Sequence, residues 1–151
     1  MKNIYYIEDF QAWSEQFHFK NPIKVRFSET DMFGHVNNTK VFIYFEEARI
    51  EFLKSIGLME DWMASSSDTI PVTADLQCNY IRQMYFGQRL NVFVKIATIG
   101  TTSIDLHYMI KNEQDEVCAT GRGRMVQVGR KAGKPCEWSE KMAEKLKCSI
   151  K

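Results

Sequence analysis

One stretch constrains this chain more than any other. It is a long apolar pattern from about Asn38 to Ser55, followed by four segments of alternating character. Val41, Tyr44, Phe45, Ala48 and Phe52 recur at i, i+3, i+4, i+7 and i+11, the spacing of one helical face. Ile43, Ile50 and Leu53 widen that surface, so the helix is expected to be largely buried. Gly57 ends it as a C-cap, a short helical turn follows over Met59 to Ala64, and Ser65 to Asp68 break the chain. Strands are then expected over Val72–Tyr80, Gln88–Ile99, Ser103–Lys111 and Glu116–Val128, separated by turns at Gly100 and at Asn112 to Asp115. Short connections imply antiparallel neighbours. An antiparallel sheet must cover its apolar face, and the long helix is the natural cover. The expected class is therefore α+β, an antiparallel sheet wrapped around one long central helix.

The remaining segments fit around this unit. Ile23 to Ser28 alternates and reads as a further strand. Residues 1–20 read as an N-terminal helical extension, with Phe10, Trp13 and Phe17 on one face to cover a sheet face or edge. Residues 139–151 read as a closing helix and tail, with Ser139 as N-cap. At 151 residues the whole chain, 1–151, suits one domain with its own core.

Composition narrows the function. Lys and Arg number 20 against 19 Asp and Glu, so the net charge of +1 argues against a general nucleic-acid binder. No apolar run approaches the ~20 residues of a bilayer span, so no membrane insertion is expected. The N-terminus carries Glu8 and Asp9 where a secretory leader would be basic and then apolar, and the expected compartment is the cytoplasm. Cys78, Cys118, Cys136 and Cys148 form no paired motif and are expected to be free, inert thiols.

The chemistry concentrates between Arg26 and Asn38. Here a polar loop leads from a strand into the buried helix and must bring Asp31 near the helix N-terminus. That end carries unpaired N–H groups and partial positive charge, a ready site for a developing oxyanion. A carboxylate beside such donors can attack a thioester or align the water that does. The plainer alternative is that Asp31, Asn37 and Asn38 are helix caps, Gly34 a turn residue and His35 a loop histidine. No metal-ligand spacing occurs in the segment.

The run Arg26, Glu29-Thr30-Asp31, Gly34-His35-Val36-Asn37-Asn38, Phe42, Tyr44 and Glu47-Ala48-Arg49 closely resembles the acyl-CoA thioesterases of the hotdog-fold superfamily, in the 4-hydroxybenzoyl-CoA thioesterase-like branch. The resemblance is strong over about thirty residues and extends to the later strands in layout only. It implies a hotdog fold, hydrolysis of acyl-CoA, and Asp31 as nucleophile or general base. It also implies that the backbone N–H near Asn38 polarises the carbonyl, with Gly34, His35 and Asn37 shaping the site. Thr39 and Lys40 depart from the aromatic residue common there. A helix carboxylate serves in another branch, and Glu46 and Glu47 are the corresponding candidates, with pairing to Arg49 the plainer role. No cofactor is implied. A homodimer or homotetramer is, and the thiol carrier is CoA or an acyl-carrier protein.

Outside the loop, Arg122, Arg124, Arg130 and Lys131, with Lys134 nearby, could bind the phosphates of CoA or form a solvated strand edge. Asp75 and Gln77 are candidates for positioning the substrate. Gly121, Gly123 and Gly129 mark close backbone approach or a bulge. His107 reads as a surface or interface residue. A non-catalytic binding module for acyl-CoA or acyl-carrier protein, and a hotdog dehydratase or hydratase, are the alternatives. A binding module would lack the acid, and a dehydratase would pair it with a catalytic histidine.

Overall fold

The long helix packs along one face of the sheet, and a close contact between the two shapes the fold. The computed structural model of the chain describes residues 3–150, so the ends of the expected extents 1–20 and 139–151, at residues 1, 2 and 151, lie outside the described residues. The order is α1 (Phe10–Glu15), β1 (Phe19–Lys24), a 3-10 turn (Phe27–Glu29), α2 (Asn38–Ser55), α3 (Leu58–Met63), β2 (Thr69–Tyr80), β3 (Arg89–Ile99), β4 (Ser103–Lys111), β5 (Val117–Gly129) and α4 (Glu140–Ile150). The strands form one sheet in the order β1-β3-β4-β5-β2, and every neighbouring pair is antiparallel.

Helix α2 packs Val41, Tyr44, Phe45, Ala48, Phe52 and Leu53 into the core. Phe45 is fully buried and stacks on Tyr108 of β4, with ring centroids 4.5 Å apart and planes 18° from parallel. Such closeness requires a strand residue without a side chain beneath the ring. That residue is Gly121: a Cβ there would stand 2.5 Å from Phe45 Cε2 and 2.8 Å from the Gln77 carbonyl oxygen. The apolar surface of α2 is wider than the sheet can cover. Ile43 and Ile50 remain 49% and 38% exposed and line a groove of about 860 Å³ between α2 and β1. Among the described residues no helix is long and apolar enough to cross a membrane.

The opposite face of the sheet is covered by the chain's own N-terminal segment. Ile4, Ile7, Trp13 and Phe17 pack with Met109 of β4, against Phe93 and Val117. The Tyr6 hydroxyl donates to Asn79 Oδ1 at 2.9 Å and lies 3.0 Å from Thr120 Oγ1. The Lys95 ammonium donates to the Trp13 carbonyl at 3.0 Å and to Gln16 Oε1 at 2.7 Å.

Three expectations change. The first strand is Phe19–Lys24, because the chain turns at Phe27–Glu29: Arg26 N–H donates to Glu29 Oε1 at 2.8 Å, and Glu29 N–H to the Arg26 carbonyl at 3.0 Å. That local reciprocal bonding wins over the alternation from Ile23 to Phe27. Helix α1 ends at Glu15, and Phe17 packs from beyond it. His107 is 7% exposed, buried beneath α1, and accepts a 2.8 Å bond from the Trp13 indole at Nδ1. It alternates outward as read, but onto a covered face.

Two predictions follow from these contacts. Gly121→Ala forces Phe45 or β2 to move and lowers unfolding free energy by about 1–3 kcal/mol. Gly129→Ala, whose nearest neighbour is the Ala132 Cβ at 4.0 Å, leaves it nearly unchanged; urea titration of both variants checks this. The second prediction concerns pH. Burial lowers the His107 pKa to about 4, with Lys95 and Arg122 acting in the same direction and Asp105 opposing. Between about pH 6.5 and 4 the unfolded chain therefore binds a proton that the folded chain does not. This contribution to stability is lost as pH falls through that window. Thermal midpoints should fall less steeply there in His107→Gln than in the wild type; parallel profiles would contradict the assignment.

Candidate active site

The loop between the 3-10 turn and α2 folds on itself as a small hairpin. Thr30 and Val36 form an antiparallel bridge, and Asp31 N–H donates to the His35 carbonyl at 2.8 Å. Gly34 makes the reversal at φ +82°, a left-handed conformation suited to glycine, and its N–H reaches the Asp31 carbonyl at 3.1 Å. Within this turn Asp31 Oδ1 accepts N–H bonds from Phe33 at 2.8 Å and His35 at 3.2 Å. Among the described residues nothing donates to Oδ2. Asp31 is thus no cap of α2; its carboxylate is held by one oxygen and leaves the other available.

The cap is Asn37. Its Oδ1 accepts the Thr39 N–H and the Thr39 hydroxyl, both at 3.0 Å, and its carbonyl accepts the Lys40 N–H at 2.9 Å. Asn37 N–H donates to the Glu29 carbonyl at 2.8 Å. The Asn38 N–H is left without an acceptor among the described residues, at the positive end of an 18-residue helix. Glu29, the other acid of the turn, is structural: its Oε1 accepts from the Arg26 amide and, at 2.9 Å, from the Tyr44 hydroxyl. That bond ties the loop to the buried helix and, after burial, helps raise the Tyr44 pKa.

Asp31, His35 and Asn38 share a cavity of about 300 Å³ with Val36, Val41 and the segment Tyr80 to Met84. Asp31 is half-buried there. The His35 ring stands edge-on to Tyr85, centroids 5.1 Å apart. An acid with one free oxygen, an unpaired amide and an apolar floor of Val36 and Val41 are what acyl transfer requires of a site. The larger groove beside Ile43 and Ile50 holds Glu46 and Glu47 but no comparable arrangement of donors; Glu46 stands 3.8 Å from Arg49. No group of three potential metal ligands occurs among the described residues. Burial pushes the Cys78 thiol up to about 12 and also raises Cys118, so neither is a ready thiolate.

The other candidates lie elsewhere. Asp75, Gln77 and Arg122 meet on the outer sheet face: Arg122 pairs closely with Asp105 and, at 3.1 Å, with Asp75, while Gln77 accepts from the Tyr5 hydroxyl at 3.1 Å. The Arg122 charge is thereby satisfied within the chain. Arg124 takes Asp75 Oδ1 through its backbone N–H at 2.9 Å. Arg130 and Lys131 follow β5 beside the Thr69 end of β2, whereas the cavity lies at the Tyr80 end. Asp75 and Gln77, the β2 residues that the sequence suggests for positioning the substrate, face outward. Tyr80 and Arg82, which the sequence analysis does not single out, line the cavity instead. Their signal was the break in alternation after Tyr80, where the chain turns inward.

Comparison with known proteins bears on the fold and the family. YsmA, an uncharacterized protein of Bacillus subtilis strain 168, is 43% identical over 97% of each chain. A predicted thioesterase from Bacillus stearothermophilus superposes with a TM-score of 0.77 at 32% identity, covering 88% of this chain and 96% of its own. A DHNA-CoA thioesterase from Staphylococcus aureus shares the hotdog fold at a TM-score of 0.76 and 21% identity, with 85% and 88% covered. The family model described as thioesterase-like superfamily matches residues 25–146, which spans the loop, α2 and the whole sheet beyond β1, and the chain belongs to that superfamily.

Proposed function

We propose that this chain hydrolyses an acyl-CoA thioester to a free carboxylic acid and CoA. The observation that carries the reading is the meeting of Asp31 and the unpaired Asn38 amide in one cavity. The Asn38 N–H accepts the negative charge that grows on the thioester oxygen. Asp31 Oδ2 either attacks the carbonyl carbon or takes a proton from the attacking water. In the first route an acyl-aspartyl anhydride forms as the thiolate leaves, and water then releases the acid and restores Asp31. In the second, water adds directly and the thiolate leaves. Both consume one water and release one thiol. Gly34 and His35 fix the turn that aims Asp31, and Asn37 fixes the first turn of α2.

The CoA phosphates call for cations, and the placement of the basic residues bears on assembly. β2 has 12 residues, about 40 Å at strand spacing, and separates Arg130 and Lys131 from the cavity within one chain. Its outer edge pairs with no strand among the described residues. We infer a homodimer, or a tetramer built on it. Two copies joined antiparallel along this edge would bring Arg130 and Lys131 of one beside the Asp31 cavity of the other. Acyl-carrier protein is the alternative thiol carrier, and the cytoplasm the inferred compartment.

Thiol release from a panel of acyl-CoAs tests the reaction. Asp31→Asn keeps an acceptor at Oδ1 for the Phe33 and His35 amides, so the loop should hold, while kcat falls by roughly 10²- to 10⁴-fold. Wild-type turnover in this variant would contradict the role of Asp31. Binding without thiol release would favour a binding module, and hydration without thiol release a hydratase.

A further inference from the structure

The donor at the start of α2 is held by more than the loop before it. The Tyr80 hydroxyl, at the end of β2 and 42 residues away in sequence, donates to the Asn38 carbonyl at 2.6 Å. The Asn38–Thr39 peptide is therefore gripped at both ends, its carbonyl by Tyr80 and its N–H by Asn37 Oδ1 at 3.0 Å. The preceding chain is fixed as well, through Asn37 N–H on the Glu29 carbonyl. Between these two anchored peptides stands the Asn38 N–H, which has no acceptor among the described residues. Tyr80 also lines the cavity that holds Asp31.

We propose that Tyr80 is a positioning residue for thioester hydrolysis, its hydroxyl locking the first turn of α2 to the end of β2 so that the Asn38 N–H stays aimed at the reacting carbonyl. This rests on the hydrolytic reading above. A helical carbonyl already accepts from the amide four residues on and has a second lone pair to spare. The tyrosine bond is thus an addition to the helix and is not needed to form it. What it supplies is orientation: it joins the donor's helix to the strand that forms the facing wall. A donor displaced by a fraction of an ångström loses much of its worth to a transition state while binding the ground state almost as well. Burial, together with Cys78 beside it, keeps the Tyr80 pKa at about 12, so the hydroxyl remains a donor across the working pH range.

The test compares wild type with Tyr80→Phe, which keeps the ring and removes the hydroxyl. Thiol release should show kcat lowered by roughly ten- to a hundredfold with KM within about twofold. The thermal midpoint should stay within about 2 °C, which a purely structural role would not allow. Amide hydrogen exchange read by NMR should be faster at Thr39 in the variant. Unchanged kcat, or a loss shared equally with stability, overturns the proposal while leaving the hydrolytic reading intact. Should the wild type release no thiol from any acyl-CoA, the hydrolytic reading fails and the exchange data alone decide the clamp. Faster exchange at Thr39 upholds it, and unchanged exchange overturns it.

Discussion

The structure depends on how closely α2 lies against the sheet. Phe45 reaches the floor of the core because β5 carries Gly121 beneath it, and the ring then stacks on Tyr108. Interiors are packed like crystals, so a contact of this kind sets the height and angle of the whole helix. With α2 seated, its N-terminus must emerge at the Tyr80 end of β2. The loop from Arg26 to Asn37 then has only a short distance in which to connect. It closes through the Glu29 bonds to Arg26, Tyr44 and Asn37, and Asp31 comes to line one cavity with Asn38. The proposed site is in this sense a consequence of packing: the core fixes the Asn38 amide, and the turn fixes Asp31.

The larger outline was legible in the residues. Helical spacing from Asn38 to Ser55 and period-two alternation in four later segments are long, strongly patterned signals. Gly121 and Gly123 of β5 also announced a close approach, since a strand interior rarely accepts glycine otherwise, whereas Gly129 at the strand end marks none. The misjudged elements are short and governed by side chains. Arg26 to Glu29 alternates like a strand, yet one Glu29 carboxylate turns it. His107 alternates outward, but outward is beneath Trp13, because residues that cover a second face add no mark to the strand they cover. In the candidate site, the Gly-His-Val-Asn-Asn run and Asp31 carry a motif the sequence shows. Tyr80 does not, since its partner is a backbone carbonyl 42 residues distant and carries no side-chain signature.

The covered outer face has a consequence for assembly. Ile4, Ile7, Trp13 and Phe17 occupy apolar area that a bare sheet would present to a second copy. A partner approaching that face must displace the segment, together with the bonds of Tyr5, Tyr6 and Lys95. The edge of β2, the edge of β1 and the partly exposed ridge of Ile43 and Ile50 stay accessible to a second copy. Of these, only the β2 edge adjoins the cavity of Asp31.

The central claim is that a thioester lies between the Asp31 carboxylate and the first amide of α2. A crystal structure of the protein with a CoA thioether ketone, which mimics the thioester but resists hydrolysis, examines it most directly. The ketone oxygen should lie about 3 Å from the Asn38 nitrogen, with Asp31 Oδ2 facing the carbonyl carbon. A ketone lodged in the groove between α2 and β1, beside Ile43 and Ile50 and away from Asp31, would contradict it.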